Sequence, residues 1–248
     1  MGGIDAISAK PLLPPELLVV LPVYNEEASI RKVVLEWFHE IENWTEDFLF
    51  LVIDDGSTDG TRDRLSRLQL NLGTRLRVIS QKNAGHGQTC IHGYQAACDL
   101  GAKWVFQIDS DGQCDPQYFF RFWRDRDGCD VIYGNRVYRE DGFKRVIASA
   151  ILRFVLLAWA RVWCIDANVP YRLMRCQSIR SVIPLVPPSF HLANVALAVL
   201  LRRRVGIREG RVNIRFRDRY GGEPSVRFAS FGARARQLIN NLSELPPA

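Results

Sequence analysis

Apolar and polar positions alternate between two rhythms along roughly the first 110 residues. Leu17–Val23 is an unbroken apolar run, as a strand covered on both faces requires. Ile30, Val33, Val34, Trp37, Phe38 and Ile41 follow at the spacing that lines one face of a helix. The unit recurs. Phe48–Asp54 predicts a strand, Thr61–Leu70 a helix, Leu76–Ser80 a strand, Gln88–Leu100 a helix stopped by Gly101, and Lys103–Asp109 a strand. This alternation predicts an α/β fold, a mostly parallel sheet flanked by helices on both faces. After Asp130–Gly134 the pattern loosens into a long helix (about Phe143–Trp163), a short segment Asp166–Met174, a helix from about His191, and an Arg-rich segment Arg202–Tyr220. No internal repeat is visible, so the chain reads as one continuous unit.

Ligands of such sheets bind beyond the carboxyl ends of the strands, where the polar motifs of this chain fall. Tyr24-Asn25-Glu26 follows the first strand, Asp54-Asp55-Gly56-Ser57 the second, Asn83-Ala84-Gly85 the third, and Asp109-Ser110-Asp111 the next. Asp109 and Asp111, two carboxylates one residue apart at a strand end, suit a hard divalent cation and the diphosphate it neutralises. Acidic surface turns also produce that pattern by chance. In Asp54–Thr61, Gly56 and Gly60 permit tight turns and Ser57, Thr58 or Asp59 can cap the next helix. Two adjacent carboxylates exceed what a cap needs, and one can accept from a ribose or a base edge.

Composition narrows the possibilities. With 248 residues, 47% of them hydrophobic, the chain is long enough for a substantial core and is not disordered. Its six cysteines form no C-x-x-C pair, the pattern of separate thiols in a reduced compartment rather than of a zinc site or disulfide framework. The net charge of +6 hides an asymmetry: residues 1–130 carry 13 basic and 20 acidic side chains, residues 131–248 carry 20 and 7. An acidic front half suits metal and sugar chemistry, and a basic back half suits a phosphate-bearing partner or an anionic surface; a solvated Arg-rich face is the plainer reading. Neither a signal peptide nor a spanning helix is recognisable, since Arg153 and Arg161 interrupt the longest apolar stretch.

Taken together and in order, L-P-V-Y-N-E-E (21–27), D-D-G-S-T-D-G-T (54–61), N-A-G-H-G (83–87) and D-S-D-G-Q (109–113) resemble the family-2 inverting glycosyltransferases of the glycosyltransferase-A fold, most nearly the dolichyl- and polyprenyl-phosphate sugar synthases. The resemblance spans about residues 17–225. It implies a nucleotide-diphosphate sugar as donor and Mg²⁺ or Mn²⁺ as cofactor. By position, Pro22, Tyr24, Glu26, Asp54 and Asp55 would surround the nucleoside, and Asn83, Gly85 and Gly87 would shape the floor beneath it. Asp109, Asp111 and Gln113 would hold metal and diphosphate. His86 reads as a loop residue. Arg219-Tyr220-Gly221-Gly222-Glu223-Pro224-Ser225 resembles the R-x-G-E-S loop that closes over the donor, with Pro224 inserted before Ser225. Asp166–Leu173 resembles the segment bearing an aspartate and a G-F-R-L stretch, with Pro170-Tyr171 in place of Gly-Phe. The implied layout is an N-terminal tail (1–16), a nucleotide-sugar-binding half (17–135) and an acceptor-side half (136–248) of one catalytic domain.

The acceptor is inferred from an absence. Glycosylation of a hydroxyl needs a general base, yet no Asp or Glu occurs from Ala167 to Arg208, leaving Asp166 or His191 as the candidates. A phosphate monoester, with a second pKa of about 6, is already an anion near neutrality and attacks without such help. A polyprenyl phosphate is therefore expected, held by Arg136, Arg145, Asp166, Arg172 and Ser225, with a hydroxyl of a glycan or lipid as the alternative. The long helix mixes apolar residues with Arg145, Arg153 and Arg161, suiting either a lipid interface or the core. The expected location is cytoplasmic and peripheral, at a membrane surface or on a membrane-anchored partner. Eight arginines between Arg202 and Arg219 do not make a nucleic-acid site, because aromatic interleaving stops at Phe216 and Tyr220. A G-x-G-x-x-G opening, expected of a dinucleotide oxidoreductase, is missing.

Overall fold

The computed structural model describes residues 13–138, 143–221 and 231–246. Its centre is a seven-stranded sheet in the order β3-β2-β1-β4-β6-β5-β7. Strands β1 (Leu17–Val23), β2 (Phe48–Asp54) and β3 (Leu76–Ser80) have the bounds read from the apolar runs, and β1 and β2 are buried along their whole length. They alternate with α1 (Ile30–Glu42), α2 (Thr61–Leu72) and α3 (His86–Asp99). α1 and α2 pack together, while α3 lies against β1 and meets two later helices, α6 (Cys176–Ile179) and α7 (Ala193–Arg202). After β3 the chain crosses to the other side of β1 to form β4 (Trp104–Gln107), parallel to it. The order of strands therefore reverses at the β1–β4 boundary, where an open α/β sheet offers a crevice.

Beyond β4 the structure adds what periodicity did not reveal. After α4 (Phe119–Arg124) comes β5 (Val131–Tyr138), then α5 (Phe143–Ala160) and β6 (Arg172–Arg175), which inserts antiparallel between β4 and β5. β7 (Glu209–Arg215) pairs parallel with β5 at the sheet edge, and α8 (Phe231–Glu244) packs on α5. The middle of the Arg-rich segment is thus an edge strand. Val212 and Ile214 face inward while Arg211, Asn213 and Arg215 are exposed, and charged side chains of this kind discourage pairing with another chain.

Two helix ends moved for identifiable reasons. α3 begins at His86, not Gln88, because Gly85 adopts φ 84°, open to glycine at little cost, immediately before the first turn. α5 stops at Ala160, not Trp163, because Arg161 takes the left-handed φ of 54° and Val162 N–H turns back to the Leu156 carbonyl. Below the crevice, the rings of Trp37, Phe106 and Tyr171 meet at centroid distances of 5.2 to 5.5 Å, so α1, β4 and the entry to β6 share one aromatic core.

Candidate active site

Glu26 and Arg219 meet over the β1–β4 crevice. Glu26 follows β1 and is buried; its backbone N–H donates to Thr61 Oγ1 (2.9 Å), and its carboxylate accepts from Ser29 Oγ (2.7 Å) and from Arg219 Nη2 (2.8 Å). The same Arg219 nitrogen lies 3.9 Å from Asp111 Oδ2. Residues 216–220 reach this point because they are laced to the Asp109–Asp115 loop. Arg217 N–H donates to the Gln113 carbonyl, Tyr220 N–H donates to the Asp111 carbonyl, and Cys114 bridges Phe216. Gly112 has φ 81° and lies under the Tyr220 ring, where a Cβ would come within 2.4 Å of the ring. Tyr220 is fixed in turn by Glu36, which accepts from its hydroxyl and from Arg217, and by Lys32 over its face. Arg219 thus arrives from 193 residues away in sequence beside the carboxylates named for it.

The second and third loops form the next wall. Asp54 is fully buried; burial pushes its carboxyl up, but hydrogen bonds from Ser57, Arg62 and Ser80 outweigh that and hold it below the usual carboxylate range. Arg62 Nε supplies the ionic part at 2.7 Å. Asp55 is spent on the backbone: it accepts from Ala84 N–H and Gly85 N–H (2.8 and 2.9 Å) and from Gln81 Nε2 (2.8 Å), so it shapes the Asn83–Gly85 turn. That turn touches the second loop, since a Cβ on Gly56 would lie 2.9 Å from Asn83 N. A Cβ on Gly87 would come closer still to the His191 carbonyl. Pro22 is buried within β1, whereas Tyr24 and Asn83 are exposed at the rim.

Asp109 closes the crevice. Its Oδ1 accepts from Gln107 Nε2 (2.9 Å) and faces His86 Nε2 at 3.7 Å; its Oδ2 has no hydrogen-bond partner among the described residues. Burial pushes the carboxyl up, and although His86 opposes that, the like charge of Asp111 adds to it, giving a value of about 6. The Cys90 sulfur, Asp109 and Asp111 raise the imidazole of His86, whose side chain is half exposed, above its ordinary value. Gln113 takes part through its backbone, its N–H donating to Asp111 Oδ1 at 3.0 Å. Among the described residues no three His, Cys, Asp or Glu side chains form a metal cluster. Asp109 and Asp111 are two hard carboxylates in mutual repulsion, one with an uncommitted oxygen, a donor set that would fit Mg²⁺ or Mn²⁺ if phosphate oxygens and water supplied the remaining ligands.

The acceptor side differs from expectation. Arg136 and Asp166 form a closed bidentate pair, both hydrogen bonds 2.6 Å, so Nε and Nη2 of the expected phosphate-binding guanidinium are given to a carboxylate. Arg172 is a correction. It is fully buried and donates to the carbonyls of Ala167, Val169 and Asn194, an anchor for the core rather than a contact for an acceptor. Arg145, by its side chain, and Ser225 lie outside the described residues. Sequence reasoning missed Gln107, Tyr94, Asn194 and Arg62; only the interruption of an apolar strand by Gln107 could have pointed to any of them. α5 turns Leu156 and Ala160 inward and leaves Ile151, Phe154, Leu157 and Trp159 exposed, with Trp163 beyond its end.

A family model described as Glycosyl transferase family 2 matches residues 18–181. The undecaprenyl-phosphate 4-deoxy-4-formamido-L-arabinose transferase of Aeromonas hydrophila is 28% identical over 193 residues, covering 73% of this chain and 58% of that protein. The transferase of the same description from Serratia proteamaculans is 28% identical over 141 residues, covering 56% of this chain and 42% of that protein. The chain thus spans about half the length of the curated relatives it matches. Among solved structures, glucosyl-3-phosphoglycerate synthase from Mycobacterium tuberculosis in complex with phosphoglyceric acid superimposes with a TM-score of 0.70 at 22% identity, covering 94% of this chain and 81% of that one. The same enzyme with Mn²⁺, uridine diphosphate and phosphoglyceric acid gives 0.69, covering 94% and 80%. At that identity the likeness is one of fold.

Proposed function

Because this chain belongs to glycosyl transferase family 2, we propose that it transfers a sugar, with inversion, from a nucleotide-diphosphate sugar to a polyprenyl phosphate. The observation that carries this reading is the meeting of Glu26, Asp109, Asp111 and Arg219 at the reversal point of the sheet. The rim around Tyr24 takes the nucleoside, with the buried Asp54 holding the second loop behind it through Ser57 and Arg62, and Asp109 and Asp111 would hold Mg²⁺ or Mn²⁺ against the diphosphate, whose departing charge a bound cation would neutralise. Arg219 supplies fixed positive charge on the same diphosphate, and His86 stands beside it at the first turn of α3, whose N-terminus also favours an anion. Glu26 restrains Arg219 before the donor arrives.

An acceptor phosphate oxygen attacks the anomeric carbon from the side facing away from the diphosphate. Both oxygens of Asp166 already accept from Arg136, which supports an acceptor that needs no base. No helix among the described residues is long and apolar enough to cross a membrane. The exposed apolar face of α5, with Phe154 69% and Trp159 55% exposed and Arg153 and Arg161 beside them, is where this chain would lie on a lipid surface carrying that acceptor. The deciding experiment supplies radiolabelled UDP- and GDP-sugars with Mn²⁺ to undecaprenyl phosphate in detergent and, separately, to phosphoglyceric acid. Labelled prenyl-phosphate sugar is expected; transfer only to the hydroxyl acid overturns the acceptor assignment.

A further inference from the structure

Behind Asp109, and turned away from the crevice, lies a cluster of buried polar side chains that the reaction itself does not use. Gln107 ends β4 with no exposed surface, an amide closing a strand whose other residues are Trp104, Val105 and Phe106. Such a group costs stability unless its hydrogen bonds are made. They are all made. Nε2 donates to Asp109 Oδ1 (2.9 Å), while Oε1 accepts from Asn194 Nδ2 (3.0 Å) and faces the Tyr94 hydroxyl (3.1 Å). The Tyr94 hydroxyl also reaches Asn194 Oδ1 at 2.8 Å. Asn194 is held from behind, its backbone carbonyl accepting from Arg172 Nη1 at 3.1 Å, and Arg172 grips the carbonyls of Ala167 and Val169.

The direction of this chain is determined at one end. A carboxylate only accepts, so Gln107 must turn its NH₂ toward Asp109 and its oxygen toward Asn194; Asn194 must then turn its NH₂ to Gln107 and its oxygen to Tyr94. Each amide has one workable orientation. The consequence falls on Asp109: Oδ1 is fastened from the protein side, and Oδ2, without a protein partner among the described residues, is the oxygen left for the crevice.

We propose that Gln107, backed by Asn194 and Tyr94, is a positioning residue that sets the Asp109 carboxylate for the metal and diphosphate, and that through Arg172 it ties this setting to the Ala167–Val169 segment on the acceptor side. The proposal rests on the reading of Asp109 as a metal ligand, because an outer hydrogen bond has this effect only on a carboxylate that binds something. Outer partners of metal ligands are commonly worth 10- to 100-fold in affinity.

The test is calorimetric titration of UDP and of GDP, each with and without Mn²⁺, into wild type, Gln107→Met and Tyr94→Phe. Gln107→Met keeps the length of the side chain and removes the donor to Asp109. The wild type is expected to bind one nucleotide more tightly with Mn²⁺ than without it. In Gln107→Met the Mn²⁺-dependent gain falls about 10-fold or more while metal-free affinity stays the same. Tyr94→Phe, which keeps its ring and leaves Asn194 to hold the Gln107 oxygen, loses about 2- to 3-fold of the same gain and stands in should Gln107→Met not fold. A merely structural role would weaken binding with and without Mn²⁺ alike. That result, or an undiminished Mn²⁺ gain in either folded variant, overturns the proposal. If the wild type shows no Mn²⁺-dependent gain with either nucleotide, the metal reading of Asp109 fails and this inference falls with it.

Discussion

The two ends of the sheet use charge in opposite ways. Around β1, β2 and β4 the carboxylates are organised by backbone N–H groups and neighbouring hydroxyls, as Asp54, Asp55 and Glu26 illustrate, and they gather at the crevice. Around β5, β6 and α7 several arginines bind the protein itself: Arg172 onto three carbonyls, Arg202 onto Glu209, Arg203 onto the Ala160 and Pro246 carbonyls, Arg204, at the surface, onto Ser181, and Arg136 onto Asp166. Among the described residues part of the basic excess of residues 131–248 is therefore spent on the protein itself, while Arg161, Arg180, Arg208, Arg211 and Arg215 stay exposed. A guanidinium with five donors is well suited to gathering carbonyls from an irregular chain, which is what this half, short of helices and strands between Arg161 and Tyr171, requires.

That contrast can be broken at several points. The largest effect should come from Asp111→Asn, which leaves the melting curve intact and lowers sugar transfer about 10³-fold in a radiolabel assay; turnover near wild type would remove the carboxylate pair from the mechanism. Arg172→Leu should do the reverse, reducing stability to urea by about 3 kcal/mol because buried carbonyls lose their partners. If that variant unfolds like wild type but no longer turns over, Arg172 belongs to the reaction after all. Arg219→Ala should lower transfer about 100-fold with little change in unfolding. Paired Phe154→Ser and Trp159→Ser substitutions should reduce co-sedimentation with anionic liposomes about 10-fold while leaving UDP or GDP binding unaltered.

The smallest effect concerns Asp54. Its carboxyl is held low, so its ionised form stabilises the fold at every pH above the unfolded value near 3.9, and that contribution disappears as pH falls through the lower folded value. Arg62→Ala should therefore cost less than about 1 kcal/mol at pH 7, Arg62 being half exposed, and the difference from wild type should vanish in acid. A difference that persists at pH 2 would mean that Arg62 acts by packing alone.

The first part of the chain was legible in the sequence because its information is local. Strands covered on both faces are unbroken apolar runs, and each motif lies directly after its strand, so β1, β2 and β3 could be bounded to the residue. The later part of the chain depends on partners far apart in sequence. β6 has four residues and lies antiparallel, and nothing in Arg172–Arg175 distinguishes it from a loop until β4 and β5 are beside it. Gln107 and Asn194 are 87 residues apart, and Arg172 reads as an exposed cation until it is seen inside the core. Arg161 ends α5 in a conformation that an arginine seldom adopts, which no residue pattern announces.

The late arrival of β6 has a consequence during synthesis. Strands β1 to β4 and their helices are contiguous in sequence and can associate as soon as they emerge from the ribosome, but β4 keeps a bare edge until residues 172–175 appear to cover it. That edge is Trp-Val-Phe-Gln, apolar and of high strand propensity, the kind of surface on which nascent chains stick to one another. The strand that ends at the reactive carboxylate is thus also the point where a half-made molecule is most exposed to aggregation, and a chaperone that shields it for the time needed to translate some seventy further residues would protect the yield of active protein.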